Sequence, residues 1–454
     1  MSVWLRCRPI KMAPIGSTSE FTLNDLAGSI HGLFGAELSL RSKSDEPAAF
    51  THVTNLGDLG QVWSHIPKMD DGQHHRSAVV GTGTGLKEQD SVLPSRAEAL
   101  ERYCSYVYQK EQFITASADE LGHAALDLAA IPRCSDTELS HPRCPLAAPS
   151  RKARIRWVRG LSLLTGQLVY IPAVMVYLYT GFVTRDERIC VQITTGCAAH
   201  TSLERALISG ILEVVERDAI AITWLQKLSL PRIELEEIPP GLGAHWKAYQ
   251  RASSELEYVF FDATTDLGIS TVYGLQVSRV NDRVTTLVSC SASLNPVTAI
   301  AKVMADMAAC RESFRIPRSV PDRAEDCEQL FHGASYMAQK DKARLFDFLL
   351  DSVSRRTLNE LPSFEIEDER KALKAILALL RSGGVTAYAV ELSTDEALRA
   401  GMRVVRVIIP ELQPFSFHYR AQYLGHPRLY NAPKLMGYSV LEESKLNRWP
   451  QPFA

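Results

Sequence analysis

The sequence predicts an α/β protein with mixed sheets of the α+β kind, and three observations carry that expectation. Short apolar runs closed by turn residues recur along the chain. Leu256–Asp262 and Val385–Leu392 each end in a cluster of Asp, Thr, Ser or Gly and give way to a second apolar run, Ile269–Val277 and Met402–Ile409. Runs rich in β-branched and aromatic residues and bounded by turn formers read as strands, and the two copies look like a loose internal repeat within the sheets. Interspersed are stretches with helical spacing at 203–220, 296–314 and 367–381, the last closed by Gly383-Gly384, which suits a left-handed helix stop. Finally, 454 residues with 46% hydrophobic and 22% charged side chains are enough to bury one large core or two moderate ones.

Taken in order, residues 1–75 alternate short apolar pieces with Gly, Ser and Asp turns and read as a small α/β lead-in without recognisable chemistry. Ser77–Val80 reads as a strand running into Gly81-Thr82-Gly83-Thr84-Gly85 and Lys87, a stretch compatible with a plain glycine turn or with a phosphate cradle of backbone amides. A helix is expected from near Arg96 to Gln109, then a connection over Ile131–Pro149, strands around Gly160 and Gly166, and an extended Val191–Thr195 leading to a helix capped by Thr201 or Ser202. Val284–Ser289 reads as a strand, Pro296–Phe314 as a helix carrying Lys302, Asp306 and Arg311 on its surface, and Ser335–Val353 and Glu367–Arg381 as amphipathic helices. The tail Leu446–Ala454 carries Pro450 and Pro452; as pattern it reads as a frayed end, although proline can hold such a segment extended.

Composition excludes some functions. A net charge of −2 gives no overall basic footprint for nucleic acid or an anionic membrane. The amino terminus, MSVWLRCRPIKMAPIG, lacks the apolar core and small-residue cleavage site of a secretory signal. The longest apolar run, Leu168–Tyr179, is too short to span a bilayer and contains Pro172, so it is expected as a buried strand with a break. Nine cysteines without C-x-x-C spacing fit reduced thiols in a cytoplasmic protein without structural zinc.

The chemistry concentrates in Thr194–Ile220 (TTGCAAHTSLERALISGILEVVERDAI), where Glu213 and Glu216 stand three apart on an otherwise apolar helix. Residues three and four apart share a helix face, and an ionised carboxylate among apolar neighbours needs a partner. Ser95–Cys104 (SRAEALERYC) repeats the pattern, with Glu98, Glu101 and Arg102 matching Glu213, Glu216 and Arg217. A single E-x-x-E-R is as compatible with a solvated face, whereas two copies could aim four carboxylates at one place. Bare carboxylates about 4 Å apart repel by roughly 4 kcal/mol at an effective dielectric of ~20, so cations would have to join them. Hard oxygen donors without His or Cys suit magnesium, which keeps positions for water and phosphate and so points to a metal-bridged nucleotide.

The run TTGCAAxxSxExAxxxGxxEVVERDA and the upstream SRAEALERY resemble the two signature helices of the YcaO family, in the expected order, and Gly401–Phe415 resembles the closing part of its azoline-forming members. The resemblance spans about Ala78 to Ala454 and implies a YcaO-type fold over residues 76–454, with an ATP site between helices and sheets. It implies magnesium ligands at Glu98, Glu101, Glu213 and Glu216, and nucleotide or phosphate contacts at Ser95, Arg102, Arg217, Lys302 and Arg311. The proline-containing ending resembles cyclodehydratase tails and suggests the Ala454 carboxylate as general base. Lys302 and Asp306 stand where the family tends to hold Arg and Glu.

The implied activity is an ATP- and Mg2+-dependent cyclodehydratase that turns Cys, Ser or Thr of a ribosomally made precursor peptide into thiazoline or oxazoline. The lead-in is short, so the resemblance implies a separate leader-peptide-binding partner protein, a flavin-dependent dehydrogenase acting later, and allows a homodimer. A thioamide-forming enzyme of the same family and a non-catalytic docking scaffold are the alternatives; four retained glutamates weigh against the scaffold, and the proline-containing tail against the thioamide former.

Overall fold

A computed structural model describes residues 21–28, 32–43, 46–66, 79–251, 255–281, 283–316, 318–364, 366 and 368–453. Fourteen strands run through them in chain order: β1 (Ala36–Arg41), β2 (Phe50–Asn55), β3 (Val80–Gly85), β4 (Ile114–Ala116), β5 (Ile155–Ser162), β6 (Leu168–Pro172), β7 (Cys197–His200), β8 (Arg232–Glu234), β9 (Leu256–Asp262), β10 (Thr271–Ser278), β11 (Thr286–Ala292), β12 (Arg355–Thr357), β13 (Tyr388–Glu391) and β14 (Arg403–Ile408). They form three sheets. β1-β2-β3 is a small antiparallel sheet, β4-β5-β13-β14-β7 with β6 on β5 a larger antiparallel one, and β11-β10-β9-β8-β12 a third in which only the β8–β12 pair is parallel. The expected α/β class with mixed sheets holds. The two loosely repeated units are the antiparallel β9–β10 and β13–β14 pairs, one in each large sheet.

Three helices lie where the sheets meet. Helix α1 (Glu88–Tyr106) packs on β2 and β3 and reaches β7 and β14; α2 (Leu203–Leu225) is wedged between β7 and β14 on one side and β11 on the other; α3 (Pro296–Ser313) covers β10 and β11 and touches β3. The wedging explains why α2 is apolar nearly all round: Ala206, Ile211, Val215, Ile220 and Trp224 are all fully buried. It also explains β11, every residue of which is buried because helices cover both its faces.

Gly81–Gly85 is neither a turn nor a phosphate cradle but strand β3 itself. A Cβ at Gly81 would run into the Ser95 and Ala99 backbone of α1, and one at Gly83 into that of Ser91 and Ser95, so the glycines let helix and strand approach closely. The helix begins at Glu88, a full two turns before the expected Arg96, and carries Pro94 inside it. Close packing on β3, together with Glu88 and Asp90 in the first turn, offsets the one hydrogen bond proline removes.

Elsewhere Ser202, not Thr201, caps α2 by accepting from the Arg205 amide at 3.1 Å, and the extended segment before it becomes a strand only from Cys197. The single helix expected over 335–353 is broken into pieces at Leu330–Met337, Lys340–Phe346 and Asp347–Leu350. The Ala338 carbonyl is captured by the Thr285 amide beside β11, which ends the first piece. Leu168–Tyr179 is strand β6 followed by a short helix, Ala173–Val176, as the proline suggested. Gly384, at φ +70°, supplies the left-handed stop after helix α4 (Glu369–Ser382).

The tail is not frayed. The Asn447 amide donates to the Leu225 carbonyl at 2.8 Å, Trp224 Nε1 donates to the Trp449 carbonyl at 2.9 Å, and Phe453 meets Tyr273 edge-on at 5.4 Å between ring centroids. Among the described residues no helix is long and apolar enough to cross a membrane.

Candidate active site

Both acidic pairs project from helices that the sheets bring together. On α1, Glu98 Oε2 accepts from the Thr82 amide at 2.7 Å and the Thr82 hydroxyl at 3.0 Å, while Oε1 accepts from Arg102 Nη2 at 2.6 Å. Arg102 Nη1 in turn donates to Thr194 Oγ1 at 3.1 Å, in the loop ahead of α2. On α2, Glu213 Oε2 accepts from the Gly196 amide at 3.1 Å, in the same loop. Arg217 lies between Glu213 and Glu216, 3.3 Å from an oxygen of each, and its guanidinium covers the Phe415 ring at 5.8 Å.

The second oxygen of Glu216 lies 3.5 Å from Lys302 Nζ on α3. Glu216 is 5% exposed and Lys302 54%, so the pair runs from the buried interior to the surface. The charge of Glu216 is the first cause raising the Lys302 pKa, followed by desolvation in the opposite sense.

Glu101 shows how closely the two helices converge. Its carboxyl is held well above the usual range, first by burial and then by the negative charge of Glu213 across the cleft, with Glu98 adding to it and Arg102 and Arg406 opposing. Burial works against the Arg217 charge, but Glu216 and Glu213 outweigh it and the guanidinium stays firmly charged. Asp306 belongs to the same cluster: burial first, then Glu216 and Glu98, push its carboxyl up to about 6 against the pull of Lys302 and Arg217. The sequence placed Asp306 on the helix face but not in the site. Its spacing of four from Lys302 was the available signal, and the charges facing it come from α1 and α2.

Glu98, Glu101, Arg102, Glu213, Glu216, Arg217 and Lys302 are therefore gathered. Ser95 and Arg311 are not. The Ser95 hydroxyl is fully buried and donates toward Thr54 Oγ1 at 2.8 Å and the Gly81 carbonyl at 3.0 Å, on the sheet side of α1. Arg311 follows Lys302 by nine residues, about half a circle around α3. It is locked to Glu46 at 2.5 Å and to Gln276 Oε1 at 3.0 Å. Ala454 lies outside the described residues, but its neighbour Phe453 packs near Phe415, the ring under Arg217. A separate hollow of about 470 Å³, walled by Arg283, Phe314, Arg318 and Lys340, shares none of these groups.

Among the described residues no three acidic, His or Cys side chains form a ready metal cage. The donor set still fits magnesium. It binds through one or two carboxylates and fills its other positions with water and phosphate oxygens, and the negative charge of Glu101, opposed by burial and by Glu213 and Glu98, is one that a nearby divalent cation would stabilise. Arg102, Arg217 and Lys302 would meet the phosphates.

Residues 82–413 match the family described as YcaO cyclodehydratase, ATP- and Mg2+-binding. The chain belongs to the YcaO family. An uncharacterised protein of Methanothermobacter thermautotrophicus is 24% identical over 394 residues, 84% of this chain and 93% of that protein. Two solved structures share the fold. A heterocyclase in complex with substrate and cofactor superposes with a TM-score of 0.78 at 19% identity over 97% of this chain, which spans only 59% of that protein's length. The YcaO protein of Methanopyrus kandleri, bound with AMPPCP and Mg2+, superposes with a TM-score of 0.58 at 16% identity over 83% of this chain and 84% of that one. YcaO proteins bind ATP and Mg2+; membership makes this chain an ATP-dependent enzyme.

Proposed function

We propose that this YcaO chain catalyses ATP- and Mg2+-dependent cyclodehydration of Cys, Ser or Thr in a ribosomally synthesised precursor peptide, giving thiazoline or oxazoline. The observation that supports this reading is the meeting of two acidic pairs, Glu98/Glu101 and Glu213/Glu216, in one cleft interleaved with Arg102, Arg217 and Lys302. A cleft so charged suits a metal-bound polyphosphate better than any uncharged ligand.

The reaction needs help at one bond, because an amide oxygen is a poor leaving group. A side-chain thiol or hydroxyl gives up its proton to a base and adds to the preceding carbonyl, opening the C=O π bond and forming the new C–S or C–O bond and an oxyanion. That oxygen attacks the γ-phosphorus of ATP and ADP departs. Loss of the amide proton then expels phosphate as the C=N bond forms. Arg102, Arg217 and Lys302 would neutralise charge spreading over the transferring phosphoryl group, and Phe415 backs Arg217 so that it is aimed before the reaction begins. Bound magnesium would supply further charge neutralisation. Asp306, one turn along α3 from Lys302 and with its carboxyl raised to about 6, is available to exchange a proton at the site.

A leader-binding partner protein would present the precursor, and a flavin-dependent dehydrogenase would oxidise the ring afterwards. The test is to incubate the chain with ATP, Mg2+, a precursor peptide and its leader-binding partner and to weigh the product. Loss of one water per ring with one ATP consumed is expected. ATP use without mass loss, or exchange of oxygen for sulfur when sulfide is supplied, would overturn the cyclodehydratase reading.

A further inference from the structure

We infer that Arg406 is a positioning residue for the metal–nucleotide site, holding the loop that links the two acidic helices. Arg406 stands on β14, opposite Cys197 of β7, and is 8% exposed. Its guanidinium donates to the Ile193 carbonyl at 2.7 Å, to the Met175 carbonyl at 3.1 Å and to Cys197 Sγ at 3.2 Å. Among the described residues no carboxylate pairs with it. A buried cation held only by carbonyl and sulfur atoms is costly unless its place is useful.

The loop it holds reaches both acidic pairs, one through Arg102 and the other directly. Thr194 accepts from Arg102, which grips Glu98, and the Gly196 amide donates to Glu213. β14 fixes this loop twice more: the Val407 amide donates to the Gly196 carbonyl at 2.7 Å, and Gly196, at φ +87°, leaves no room for a Cβ against the Val407 carbonyl. Arg406 and its neighbour thus set the separation of α1 from α2 at the carboxylates. Removing the guanidinium frees Ile193 and loosens Thr194 and Gly196, so the two acidic pairs are no longer held in register and magnesium must be present at higher concentration to hold a nucleotide.

The inference rests on the four glutamates being the metal site, and the experiment separates the two. Binding of a non-hydrolysable ATP analogue is measured by calorimetry on the full chain at increasing Mg2+, for wild type, Arg406→Met, Arg406→Lys and Glu101→Gln, with thermal melts to confirm folding. Arg406→Met should raise the Mg2+ concentration for half-maximal nucleotide binding at least tenfold, Arg406→Lys should recover part of that by restoring a donor toward the Ile193 carbonyl, and Glu101→Gln should weaken Mg2+-dependent binding more than either. Wild-type magnesium dependence in folded Arg406→Met, with Glu101→Gln impaired, would overturn the positioning role. Unimpaired Glu101→Gln would overturn the metal-site assignment beneath it. Should Arg406→Met fail to fold, Thr194→Val, which removes only the link to Arg102, carries the test in the same direction with a smaller shift, and a wild-type profile there would overturn the inference.

Discussion

Glu216 is the carboxylate with the least freedom in the cleft: 5% exposed, flanked by Arg217 and Lys302, with its helix wedged between two sheets. Glu216→Gln keeps the shape and removes the charge, leaving Lys302 without its 3.5 Å partner and Arg217 with Glu213. Magnesium-dependent ATP turnover should fall on the order of 10²-fold, the scale on which one group stabilising transition-state charge is felt, while far-UV circular dichroism stays that of the wild type. A different residue sets the acid response of the fold. His426 is 3% exposed, donates through Nε2 to the Glu411 carbonyl at 3.0 Å, and burial lowers its pKa from 6.5 to about 4. A depressed folded-state pKa contributes stability above 6.5 that is lost as pH falls from there through 4, because the unfolded chain takes up the proton first. Between pH 7 and pH 5 this one group should cost about 2 kcal/mol, and urea titrations at the two pH values should show that much less loss for His426→Gln.

At the scale of elements, the glycines of β3 and the C-terminal tail illustrate how far pattern reaches. The G-T-G-T-G run drew attention as a possible anion cradle, yet alternate glycines on one strand face serve a helix crossing at backbone distance. Gly83→Ala should lower stability by roughly 1–3 kcal/mol, read as a drop in melting temperature, and should disturb ATP binding through Glu98, which Thr82 of the same strand holds. The tail was legible as proline-stiffened but not as buried. Nothing in Leu446–Phe453 announces that Trp224 and Leu225 of α2 will bind its backbone. Phe453→Ala, which empties the space between Tyr273 and Phe415, should destabilise the protein by roughly 3 kcal/mol in chemical denaturation.

For the whole molecule, the site belongs to no single sheet. α1 brings Glu98 and Glu101 from the small sheet, α2 brings Glu213 and Glu216 from between the large ones, and α3 brings Lys302 and Asp306 from the third. A ligand bridging the three should stabilise the entire fold, not one part of it. A nucleotide with Mg2+ at a hundred times its dissociation constant should add about 2.7 kcal/mol, seen as a single shifted melting transition that chelation of the metal reverses and that Glu213→Gln abolishes.

By itself the sequence determined that both acidic segments are helical, their spacing and the kind of ion that spacing invites, because residues three and four apart on a helix are neighbours whatever surrounds them. Strand runs such as Leu256–Asp262 were legible for the same local reason. Only the tertiary structure decided that the two pairs meet, that Asp306 joins them, that Ser95 and Arg311 turn to other partners, and that Thr82, Gly196 and Arg406 hold the acidic groups in place. Those contacts join residues far apart in the chain, and no local periodicity records which sheet will carry a helix past which other.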